Sequence, residues 1–96
     1  MKKLLQSYPK RVENVAWRTI IDKALLVNPK DGFIYPLNTV ATRTWELMDG
    51  KTSTEDIIKR LCEEFEYGES AIERDTMEFL EELQKANLNG KYSRHF

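Results

Sequence analysis

The chain has 96 residues, enough for one hydrophobic core, since a second would need roughly another hundred. It is 41% hydrophobic and 32% charged, and 15 Lys and Arg against 16 Asp and Glu leave a formal charge of −1. That composition argues against a disordered chain and against a general nucleic-acid binder, and a single cysteine and a single histidine exclude a disulfide framework, a cysteine-rich zinc site and a histidine-dependent catalytic dyad.

Met1-Lys2-Lys3-Leu4-Leu5 opens like a signal peptide, but Gln6, Ser7, Lys10, Arg11 and Glu13 follow at once. No run of about 18 apolar residues occurs anywhere, so no membrane span is expected, and a lone thiol suits the cytoplasm. From Val15 the pattern is that of short strands. Val15, Trp17 and Thr19 fall on one face of a first strand and Arg18 on the other. Asp22-Lys23 is expected to turn the chain into Ala24-Leu25-Leu26-Val27. Asn28-Pro29-Lys30-Asp31-Gly32 is a second turn, and Phe33-Ile34-Tyr35 a third strand that Pro36 ends. No helix is expected before residue 37.

After residue 38 the period becomes helical. Asn38 or Thr39 can cap a first helix with the apolar stripe Val40, Ala41, Thr44, Trp45, Leu47 and Met48, and Gly50 lies just past its end. Thr52-Ser53-Thr54-Glu55 is a capping-box pattern that opens a second helix, with Ile57, Ile58, Leu61, Cys62 and Phe65 on one face. A third helix starts near Glu69 or Ser70 and buries Ile72, Thr76, Phe79, Leu80 and Leu83. It ends with Lys85 in its last turn and Asn87 as its left-handed cap. The order β-β-β-α-α-α predicts an α+β, winged-helix-like domain. It has an N-terminal three-stranded antiparallel sheet followed by three helices.

Catalytic machinery is absent from the sequence. Cys62 sits in an apolar stripe as a buried, inert thiol, and His95 lies in the tail with nothing beside it to complete a metal site. The many carboxylates read as the solvated faces of helices, and there is no GxGxxG, GxxxxGK[ST] or GxSxG. No catalytic residue, metal or cofactor is expected. A winged-helix DNA-binding regulator is the rival reading. Against it, the third helix carries Glu69, Glu73, Asp75, Glu78, Glu81 and Glu82 but only Arg74 and Lys85. The short third strand must turn an apolar side chain outward, and an open edge of that kind accepts an added strand, unless the N-terminal arm or a second copy of the chain covers it.

The stretch from Leu37 to Ile57, with Leu37-Asn38, Ala41, Trp45-Glu46-Leu47, Asp49-Gly50, Thr52 and Glu55, resembles the PqqD family, named for coenzyme PQQ synthesis protein D. The later Leu61, Phe65, Asp75, Phe79-Leu80, Leu83 and Leu88 also fall where that family has its spaced apolar residues and an acid. The likeness covers about residues 9 to 90, within one recognition domain spanning 1–96. It implies a non-catalytic recognition element for ribosomally made, modified peptides. Such an element binds the leader of a precursor and presents it to a modifying enzyme, typically a radical S-adenosylmethionine protein, in PQQ or a related pathway. It further implies strand addition beside the third helix, here at Phe33, Ile34, Tyr35 and Leu37 with part of the segment from Ala71 to Glu82. Arg74, Asp75 and Glu78 are expected to border the groove. The open edge also allows a homodimer at high concentration, and neither nucleic acid nor membrane is expected as a partner. Asn87 replaces the family's usual glycine, and Pro36 removes one donor from the docking strand.

Overall fold

A computed structural model describes residues 5–13, 15–28 and 32–86. Three strands, β1 (Ala16–Ile20), β2 (Lys23–Val27) and β3 (Ile34–Pro36), precede three helices, α1 (Thr39–Leu47), α2 (Thr54–Glu64) and α3 (Glu69–Lys85). The α+β order is as the sequence predicts. The strands form one antiparallel sheet in the order β1-β2-β3, with Trp17 opposite Leu26 and Leu26 opposite Tyr35.

Strand alternation sets the two faces of this sheet. Ala24, Leu26 and Asn28 are buried toward the helices, while Lys23 and Val27 face outward. Thr42 of α1 reaches back and its Oγ1 accepts the Ala24 amide at 2.8 Å, fastening α1 beneath β2. The buried Asn28 donates from Nδ2 to the carbonyl of Ala86 at 3.3 Å, which ties the end of α3 to the end of β2. These two bonds hold α1 and α3 under the sheet.

The helix ends follow local chemistry. Asn38 caps α1 by accepting the Ala41 amide at 2.8 Å, and Ser53 caps α2 by accepting the Asp56 amide at 3.1 Å. Between these helices Asp49 Oδ1 accepts the amides of Lys51 and Thr52, which draws its carboxyl below the usual range. Gly50 follows at φ +80°, with Lys10 packed where a Cβ would stand. Arg43 clamps α1 to α2 through a bidentate pair with Glu64, at 2.8 and 3.1 Å.

The N-terminal arm runs past the end of α1 and the start of α2. Ser7 bonds Thr54, Pro9 accepts the Gly50 amide and Arg11 donates its amide to Met48. Arg11 Nη1 also donates to the carbonyls of Trp45 and Glu46, and its guanidinium lies 5.7 Å from the Trp17 ring. The described residues of the arm therefore do not cover the β3 edge.

Several details differ from the expectations. Leu5 is helical, although no helix was expected before residue 37. Met77 and Thr42 are buried where neither was expected, and Phe79 is only half-buried. Asn87, Leu88 and the tail through His95 lie outside the described residues.

The first hairpin turns at Ile21-Asp22, one residue earlier than expected, because Ile20 pairs with Lys23. Ile21 holds φ +62°, where glycine is usual, and is 96% exposed. A β-branched residue in that region costs about 1 kcal/mol and here gains no contact in return. Ile21→Gly should therefore raise stability by about that amount, read as a higher urea midpoint with an unchanged m-value. An unchanged or lower midpoint would contradict the strained turn.

Candidate functional site: an open strand edge beside a groove

The hydrogen bonds of β3 decide which of its main-chain groups are free. Asn28 donates to the Phe33 carbonyl at 3.0 Å and Leu37 donates to the Ala24 carbonyl at 2.8 Å. Bonded and non-bonded pairs alternate in an antiparallel ladder, so Phe33, Tyr35 and Leu37 turn their main chain toward β2. Ile34 and Pro36 turn theirs to the open edge. The edge thus offers the Ile34 N–H, the Ile34 carbonyl and the Pro36 carbonyl, and Pro36 itself has no N–H to give. The Ile34 side chain is 62% exposed beside them.

Alongside this edge runs a groove of about 1070 Å³ between β3, α1 and α3. Tyr35, Pro36 and Leu37 form one side, Val40, Ala41 and Thr44 of α1 the end, and Asp75, Glu78, Phe79, Glu82 and Leu83 of α3 the other side. Leu37 and Leu83 are buried and Val40 and Phe79 half-buried, so the interior is apolar, while Asp75, Glu78 and Glu82 stand exposed at the rim.

The expected site residues divide accordingly. Tyr35, Leu37, Asp75 and Glu78 line the groove, whereas Phe33, Ile34 and Arg74 do not. Ile34 stands on the edge itself. Arg74 has a side chain 68% exposed and pairs with Asp75 at 3.5 Å, rather than with Glu78. The flank of α3 that faces β3 is the row Asp75, Glu78, Glu82, with Phe79 behind it. Phe79, Leu83 and Thr76 read as core in the sequence, and Glu82 as solvated surface. Their spacing carried no sign of the groove, because the packing of α3 against α1 and α2 creates it.

Chemistry is sparse elsewhere. Burial, helped by Glu69, Glu63 and Glu73, pushes the half-buried Cys62 thiol up and disfavours its thiolate. Among the described residues no group of three His, Cys, Asp or Glu side chains could hold a metal ion, and no helix is long and apolar enough to cross a membrane.

A family model described as coenzyme PQQ synthesis protein D matches residues 23–88, well over half of the chain. The chain belongs to the PqqD family. No curated protein matches this PqqD-family chain in sequence. Among solved structures it is similar to TbiB1 in complex with the TbiA(beta) leader peptide. The TM-score is 0.75 at 28% identity over 86% of this chain and 96% of TbiB1. Neither comparison points to nucleic acid. The PqqD-like residues from Leu37 to Ile57 are mostly folding signals, since Asn38 and Ser53 cap helices, Trp45 and Ile57 fill the core and Asp49-Gly50 shapes a loop.

Proposed function

We propose that this PqqD-family chain is a non-catalytic adaptor. It binds the leader of a ribosomally made precursor peptide as a strand added to β3 and presents the peptide to a modifying enzyme. The observation that carries the reading is the open β3 edge at Ile34 and Pro36 with an apolar groove directly beside it. Main-chain hydrogen bonds give sequence-tolerant affinity at such an edge, and the groove selects every second side chain. The shared fold with TbiB1, whose structure holds a leader peptide, supports the same mode here.

The enzyme it serves is a radical S-adenosylmethionine protein or another peptide-modifying enzyme, in PQQ synthesis or a related pathway, and the adaptor works in the cytoplasm. Genes for such an enzyme and for a short precursor beside this chain's gene are the expected context. Titration of that precursor's leader into the chain tests the reading. Because a disordered peptide must be ordered on binding, a Kd of about micromolar is expected without the enzyme. Failure of the leader to bind at all would defeat it. At high concentration a second copy competes for the same edge and forms a homodimer, which the leader should dissociate.

Duplex DNA provides the counter-test. Phosphates would be repelled by α3, and Arg11, part of the arm's basic cluster, is engaged with the end of α1 and Trp17. Binding at physiological salt should be weaker than roughly 10⁻⁴ M. A sequence-selective gel shift at nanomolar protein would favour the regulator instead.

A further inference from the structure

We infer that the groove selects long basic side chains, so that the docking segment of the leader carries lysine or arginine at two alternate positions facing α3. The inference rests on the adaptor reading and specifies the peptide that the same site takes. Asp75, Glu78 and Glu82 follow one another along the α3 side of the groove. Of these three carboxylates only that of Asp75 has an ion-pair partner among the described residues, Arg74, which leaves those of Glu78 and Glu82 for a ligand.

The rest of the wall has the complementary character. Leu37 and Val40 face Phe79 and Leu83 across an apolar interior, with the carboxylates exposed above it. A side chain with an apolar stem and a cationic head matches such a wall, its stem against the leucines and its head at the rim. Thr76 adds an independent sign of a ligand. It lines the same groove at 1% exposure, and its Oγ1 has no hydrogen-bond partner. Buried hydroxyls are nearly always paired, and a threonine in mid-helix commonly bonds the carbonyl one turn back. An oxygen left without a partner can accept from a ligand, and lysine and arginine bring donors only.

Spacing fixes the pattern. Four residues of helix rise about 6.0 Å and two residues of strand about 6.6–6.8 Å, so Glu78 and Glu82 meet side chains two apart on an extended peptide. Lys85 follows Glu82 by one turn and also lines the groove, as does Lys23 at the start of β2. The anionic stretch is therefore short, and it suits two basic residues rather than a long run.

The probe is a phage-displayed library of random dodecapeptides panned against the full chain. Enriched peptides are then synthesised and titrated into the parent, Ile34→Pro and the double variant Glu78→Gln/Glu82→Gln, each checked for parental circular dichroism. The expected peptides carry Lys or Arg at two positions separated by one residue. Their affinity should fall about fivefold in the double variant, and replacing those basic residues by methionine should cost as much in the parent but nothing more in the double variant. Peptides that lose affinity in Ile34→Pro but show no basic preference and tolerate the double variant would overturn the charge selection and leave the adaptor reading standing. Peptides indifferent to Ile34→Pro, or a library that yields no binder, would overturn both.

Discussion

Replacing Trp45 by alanine is expected to lower the unfolding free energy by about 3–5 kcal/mol, the range for large aromatic truncations in a core. Trp45 is fully buried in α1, forms a T-shaped pair with Trp17 at a centroid distance of 6.1 Å and an interplanar angle of 81°, and carries the carbonyl to which Arg11 attaches the N-terminal arm. In a domain of this size the loss corresponds to a fall in Tm of at least about 12 °C. The indole Nε1 has no hydrogen-bond partner, so Trp45→Phe removes volume without removing a bond and should cost less than half as much. Denaturant unfolding followed by circular dichroism distinguishes the two variants. Trp45→Ala with the parent's midpoint would mean that the core is centred elsewhere.

Ile34→Pro should weaken leader binding strongly while leaving the protein folded. The Ile34 amide points away from β2, so its loss breaks no bond within the sheet, and edge strands tolerate proline. On the open side, however, it is the one donor that β3 presents, since Pro36 has none. Losing one bond of a short ladder, together with the register it sets, should weaken binding at least about tenfold. Ile34→Ala keeps the amide and trims an exposed side chain, so its effect should be several-fold smaller. A folded Ile34→Pro protein that binds the leader as the parent does would move the docking site away from β3.

The parts of the fold legible in the sequence are those written by local rules. Asn38 and Ser53 cap helices because their side chains accept nearby amides, and Gly50 adopts the left-handed geometry of the loop between α1 and α2. The first turn was misplaced because Ile21 violates the rule for its own conformation. Pairing of Trp17 with Leu26 and Ile20 with Lys23 imposes φ +62° on a residue that does not favour it.

The site was legible in part on both its strand side and its helix side. Alternation along Phe33-Ile34-Tyr35 announces that an apolar side chain must emerge, but only the bonds Asn28 to Phe33 and Leu37 to Ala24 reveal which amide faces outward. On the helix side Asp75 and Glu78 are expected at the groove and line it, but Glu82 looks like any solvated face, and Phe79 like core, until α3 is seen beside β3. Arg74 is expected at the groove because it lies one turn from Glu78 with Asp75 between them, yet it pairs with Asp75 and does not line the groove.

Amide hydrogen exchange at single-residue resolution, with and without a saturating bound peptide, tests the central claim most directly. A strand added to β3 must accept a hydrogen bond from the Ile34 N–H, so exchange at Ile34 should slow markedly on binding, while the amides of Tyr35 and Leu37, already turned toward β2, change far less. Unchanged exchange at Ile34, with protection appearing along β1 or the N-terminal arm instead, would contradict strand addition at this edge.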